Sequence, residues 1–527
     1  TYQLQLGAIR DPLFHEVLLE GQPKNQTIKN KTDQNIVDAA SQFESYLMEQ
    51  SNDNLERNYI VVTEKLGFLF YAPKKDAEIG IMFEVINNRG KPLSELEKIK
   101  NYLIYFAGRH GIDDLKTKVN ENWPIILNSL NIADFTSNDD EDRFLRVCWL
   151  VFKDSNKSKS YHVYDNLKES YPANENNHWS ELVEFVKFIT SAAKTYADLF
   201  QPEQSEFSNE EKSILWRISL HPAQASILPL VISLYSKAPE PLKRLELLDL
   251  IEKLNFRYYI VDIARRNDSG QGSLFELANL FYSDEYNKEK YNPHNYSDTE
   301  WLKFEIIQFI DKNANDLSFV KHLTLDKDEA GDYYKWIGLK YFLASYEDNL
   351  LENAGQASKL LSLTAPRNKN SPNDFYHLEH IWAKKELSIV NDQDDLNINK
   401  RRLGNFILLM ETINIKVSDH RIEIKVDEYF KFDKHQPTTL MIRELKSDYD
   451  AAEETVDKSG VHGNRSKSFW LNVYQTFLDS REQRMINFAV RRWHVDGLKK
   501  NISDISIDSN NKSNEIFVCT YESKNNV

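Results

Sequence analysis

Apolar residues recur at helical spacing over most of this chain, and that periodicity limits its fold more than any other property. The segments "ELLDLIEKLNFRYYIVDIARR" (246–266) and "YYKWIGLKYFLASYED" (333–348) each place apolar side chains three and four apart, as a helix with one buried face requires. Similar stretches fill 110–365, separated by polar loops near 154–160, 202–210, 267–273 and 364–374. They share no fixed period, so a solenoid of repeats is not expected. The expected class is mainly α, with α+β portions at the two ends of the chain.

Near the start, Asp38 to Met48 has helical spacing. Two short β-like runs follow, "YIVVTE" (59–64) and "GFLFYA" (67–72), joined by a turn containing Gly67, with a third, "IGIMFEVI", at 79–86. Asn87-Asn88-Arg89-Gly90 reads as a turn, and Pro92 precedes a helix. Ser94 and Glu97 have the spacing of a capping box, which satisfies orphan amides at a helix start. Leu96, Ile99, Leu103 and Phe106 then form one apolar face.

The chain is 41% hydrophobic and 12% aromatic, the composition of a folded globular protein, and has no apolar run of eighteen residues. Its first residues lack the charged start and apolar core of a signal peptide, and it begins at Thr1 without Met, as a fragment would. Two cysteines, Cys148 and Cys519, are too few for a disulfide framework or a thiolate zinc site, which fits a cytoplasmic location. The net charge is −15 and the pI near 5.5, which disfavours a protein that coats nucleic acid indiscriminately. A local basic face within an acidic protein still suffices for DNA, with strongly salt-sensitive binding.

The stretch "YHLEHIW", Tyr376 to Trp382, carries two histidines three apart and a glutamate before the second. On a strand, His377 and Glu379 share one face and His380 takes the other; on a helix, the histidines share a face. The glutamate is misplaced for the His-Glu-x-x-His pattern of zinc proteases. Downstream lies "NKRRLGNFILLMETINIKVSD", 399–419. Here "RRLGN" reads as a turn in which Gly404 and Asn405 tolerate positive φ, "FILLM" as a buried strand, and Asn414 as part of the next element. Strand, loop, turn, strand and following element, in that order, match a ββα-metal (His-Asn-His/Asn) nuclease.

Hydrolysing a phosphodiester needs a base for water and a cation for charge on the phosphate and leaving oxygen. His380 suits the base, because histidine is the side chain that exchanges a proton most readily around neutral pH. Glu379 and Asn414 offer the oxygens that Mg²⁺ prefers, with Mn²⁺ as an alternative, and His377 is an accessory ligand or a phosphate contact. Asn405 holds the loop or orients His380. Lys400, Arg401 and Arg402 are candidate phosphate contacts, or else a solvated loop. Arg481, Arg484, Arg491 and Arg492 with Trp493 either touch DNA backbone or pack the closing helix.

These motifs resemble the C-terminal nuclease domain of GmrSD-type, modification-dependent (type IV) restriction enzymes, in which Glu-His-Ile, Leu-Gly-Asn with an apolar run, and Asn with Ser follow in that order. The resemblance covers roughly 366–500, including the closing segment "FWLNVYQTFLDSREQRMINFAVRRW", and "KYFLASYE" (340–347) looks like the helix leading into that domain. "MFEVINNRGKPLSELEKIKNYL" is similar to the second half of the family's ParB-like N-terminal domain. The resemblance implies a ParB-like portion at 1–110, a helical middle at 111–365, the nuclease at 366–500 and a polar tail at 501–527. It also implies cleavage of modified or phage DNA in antiviral defence, with a homo-oligomer or defence-system partner. The family's Asp-Gly-Gln-Gln-Arg motif for nucleotide hydrolysis has no copy here, so a nucleoside triphosphate would have only Asn87, Arg89 and Gly90 to line a remnant pocket. The alternative is a non-cleaving DNA-sensing or regulatory subunit built on the same fold.

Overall fold

The computed structural model describes residues 11–17, 28, 31–67, 93–175, 177–261, 263, 268–324, 336–365, 375–383, 388–389, 399, 401–410, 420–435, 439–460 and 465–499. The β-like runs at 68–72 and 79–86, Asn87, Arg89, Gly90, Lys400, Asn414 and the tail from 501 lie outside these residues. The described chain is mainly helical, with one two-stranded antiparallel sheet. None of its helices is long and apolar enough to cross a membrane. It divides into two compact units, one of 1–215, 228–244 and 272–295, the other of 216–227, 245–271 and 296–527.

In the first unit, a short helix at Asp11–His15 is followed by helices α1 (Lys31–Met48) and α2 (Asn52–Ile60). Ser51 caps α2 by accepting from the Asn54 amide, and the chain runs on through a π-type turn, Val61–Lys65. The strand expected at 59–64 is therefore helical. Its β-branched run reads as strand only if a neighbour pairs with it, yet Tyr59 and Val62 are 68% and 60% exposed, and no strand partner exists among the described residues.

Helix α3 (Glu95–His110) starts as its sequence predicts. The Ser94 hydroxyl accepts from the Glu97 amide, and the Glu97 carboxylate accepts from the Ser94 amide. Leu96, Ile99, Leu103 and Phe106 are all buried, and Gly111 closes the helix at φ 66°. Helices α4 (Asp113–Ile132), α5 (Asn138–Phe152) and α6 (Trp179–Phe200) join this core, with Phe144 edge-on to Tyr196 at 5.1 Å and Trp149 edge-on to Phe185 at 6.2 Å.

The second unit contains most of α7 (Pro241–Asn255), then α8 (Leu339–Asn353), strand β1 (Tyr376–His380), strand β2 (Phe406–Met410), α9 (Ile422–His435), α10 (Leu440–Ser459) and α11 (Lys467–Arg492). One continuous apolar cluster joins α8, both strands and α9 to α11. Glu347 of α8 caps α10, accepting from the Leu440 amide at 2.6 Å and the Met441 amide at 2.9 Å. The far end of α11 is anchored on the fully buried Glu252 of α7. Its Oε1 accepts from Trp493 Nε1 at 3.1 Å and from Arg492 Nη2 at 3.3 Å, and pairs with His221 Nε2 at 3.3 Å. Burial opposes this charge, but Arg492, His221 and Arg217 together hold the carboxyl well below the usual range.

Candidate active site

Strands β1 and β2 pair antiparallel, with Glu379 opposite Ile407 and His380 opposite Phe406. "FILLM" forms a strand because Phe406 to Leu409 are all fully buried, so the run needs no polar alternation. Along β1 the side chains alternate. Tyr376 and Leu378 pack against the apolar cluster, which sends His380 to the same side, 8% exposed, with its ring 4.6 Å from that of Phe406. His377 and Glu379 take the opposite face. The adjacent histidine and carboxylate are thus presented on different sides of one strand end.

Glu379 meets a residue that the motif does not contain. Lys425, on α9, places its Nζ 2.7 Å from Glu379 Oε1 and donates to the His380 carbonyl at 2.8 Å. The lysine side chain is 0% exposed and that of Glu379 14%. A buried ammonium is tolerable only with such partners. Its sequence signal was present: Ile422, Lys425, Val426 and Tyr429 stand at i, i+3, i+4 and i+7, and all four are buried, so the lysine interrupts an apolar stripe. The Tyr429 hydroxyl is buried without a hydrogen-bond partner among the described residues, and burial together with the Glu379 charge pushes its pKa well up.

Asn405 fastens the segment that follows His380. Its backbone carbonyl accepts from the Ile381 amide at 2.9 Å, its Oδ1 accepts from the Trp382 amide at 2.6 Å, and its Nδ2 donates to the Trp382 carbonyl at 3.2 Å. This is the loop-holding role, made through backbone two residues beyond the histidine. The turn expected at "RRLGN" is present, but Gly404 and Asn405 reach it without positive φ. Residues Leu403–Asn405 form a single 3₁₀ turn, and Gly404 is required by proximity: a Cβ there would lie 2.5 Å from the Leu478 carbonyl oxygen of α11.

Helix α11 grips this turn. Arg481, 2% exposed, donates from Nε to the Gly404 carbonyl at 2.9 Å and from Nη2 to the Phe406 carbonyl at 3.1 Å. Glu482 accepts from the Leu403 amide at 3.2 Å and from Arg402 Nη2 at 2.6 Å, while Arg402 also reaches Asp479. Arg484 is paired with Asp448 and Glu444. Of the expected phosphate contacts, Arg481 is therefore engaged inside the fold, while Arg402 and Arg484, partly exposed, are paired with carboxylates of packed helices. Arg492 and Trp493 likewise serve packing, and Trp493 stacks on Phe256 at 3.4 Å. Arg491 is exposed and Arg401 half-buried. The closing helix packs onto the site and braces it.

His377 lies edge-on to Phe375 at 4.5 Å, and the Lys340 ammonium of α8 sits 4.2 Å from the centre of the same ring. Burial lowers the Lys340 pKa to about 8. Among the described residues no three histidine, cysteine or acidic side chains converge as a metal group. Glu379 suits a hard cation in donor type: Lys425 engages Oε1, and the partly exposed carboxylate has Oε2 to offer. Compared with known proteins, the sequence matches no family model and no curated protein.

Proposed function

We propose that the chain is a DNA endonuclease that hydrolyses phosphodiester bonds of modified or foreign DNA, in a bacterial antiviral setting. One observation supports this reading: the Asn405 lock on the Trp382 backbone, 23 residues away in the sequence, holds Asn405 beside the end of the β1–β2 ladder that carries Glu379 and His380. In the proposed mechanism, His380 takes the proton of the attacking water, and Asn405 keeps the strand end that carries His380 in place through the Trp382 backbone. Glu379, with Asn414, would hold a Mg²⁺ ion, which supplies charge to the scissile phosphate and leaving oxygen. His377, whose ring meets Phe375, would be an accessory ligand or a phosphate contact.

The second reading, a non-cleaving DNA-sensing subunit, is favoured by the Lys425 ammonium that already neutralises Glu379. Incubating modified and unmodified DNA with Mg²⁺ and either wild-type or His380→Ala protein separates the two. Cleavage by wild type that His380→Ala loses supports the enzyme. Absence of cleavage by wild type on every substrate, with retained DNA binding, supports the sensor. Equal cleavage by both proteins removes His380 from the mechanism.

A further inference from the structure

One oxygen of Glu379, Oε1, already faces an ammonium supplied by the chain. Lys425 is wholly buried, its Nζ lies 2.7 Å from Glu379 Oε1, and its second bond, to the His380 carbonyl, fixes it to the strand that carries both motif residues. We infer that Lys425 is the resident counter-charge of the site, and that it holds down the site's affinity for a divalent metal. The inference rests on the reading of Glu379 as the metal ligand.

Two effects of Lys425 on metal binding oppose one another. Holding a ligand carboxylate in place raises affinity, as outer hydrogen-bond partners of metal ligands do. Placing a positive charge beside the ion lowers it. The strand pairing opposite Ile407 fixes the Glu379 backbone, so Lys425 contributes orientation only through the side-chain torsions of one carboxylate. Repulsion is strong, because the ammonium has no exposure to water and its charge is poorly screened. Repulsion therefore dominates, and the resting site is electrically balanced without a metal. This explains how a buried lysine can belong to a stable fold here: the carboxylate serves the lysine as much as the reverse.

The test is Mn²⁺ binding, by calorimetry and by loss of the free-ion paramagnetic signal, to wild-type protein, Lys425→Met and Lys425→Gln. Methionine keeps the buried stem, and glutamine also keeps a donor for the His380 carbonyl, so a folding defect in one leaves the other to decide. Both variants are expected to bind Mn²⁺ at least roughly tenfold more tightly than wild type. Equal or weaker binding by the variants, with measurable binding by wild type, overturns the inference and leaves the metal reading standing. No binding by any of the three overturns both.

Discussion

The Asn405 side chain accepts the Trp382 backbone amide at 2.6 Å, a contact that spans 23 residues and ties the end of β1 to the turn that begins β2. Asn405→Ala leaves a buried amide without its acceptor and is expected to destabilise the protein by about 1–3 kcal/mol in urea denaturation. DNA cleavage is expected to fall further than stability alone explains, because His380 lies two residues from the released amide. Unchanged cleavage in folded Asn405→Ala would remove Asn405 from the site.

Glu379→Ala strands the Lys425 ammonium in an apolar interior. The expected loss is roughly 3–5 kcal/mol, the range for breaking a buried pair by removing one partner. The double change Glu379→Ala with Lys425→Met is expected to recover much of that loss. Denaturation of the two singles and the double gives the coupling directly.

Gly404→Ala tests whether α11 must approach the turn closely. The added methyl would meet the Leu478 carbonyl oxygen, which belongs to helix backbone and yields little. A loss of about 1–3 kcal/mol is expected, read as a lower denaturation midpoint with unchanged slope. If alanine is neutral, the turn has room that this packing denies.

Glu347 predicts a dependence of stability on pH. Burial raises its pKa to about 7, against the opposing bonds from the Leu440 and Met441 amides. The folded state thus holds this proton more tightly than the unfolded chain does. Its contribution is full below the ordinary glutamate pKa and disappears as pH rises through about 7. Glu347→Gln is expected to flatten that part of the profile, which amounts to at most about 3 kcal/mol between pH 4.5 and 7. Parallel wild-type and variant profiles would show that Glu347 is already ionised across this range.

What could be read in advance was what short stretches of chain decide for themselves. The Ser94–Glu97 box and the stripe from Leu96 to Phe106 depend on residues within one helix, and both stand as the spacing predicts. "FILLM" is a strand because its composition leaves little else. The run at 59–64 misled because β-branched residues state a preference that only a pairing strand can enforce. The site's bracing was hidden for a related reason. Arg481 looks the same whether it faces a phosphate or the Gly404 carbonyl, 77 residues away, and Lys425 shows its partner, 46 residues away, only once β1 and α9 meet.

The grip of α11 on the Leu403–Asn405 turn also sets an order of events during synthesis. Arg481 and Glu482 add hydrogen bonds to this turn from 77 and 79 residues further along the chain, so a chain that ends just after β2 has the hairpin without that brace. The Asn405 bonds to Ile381 and Trp382 can form at that stage, but the bonds to the Gly404 and Phe406 carbonyls and the Leu403 amide wait for the closing helix.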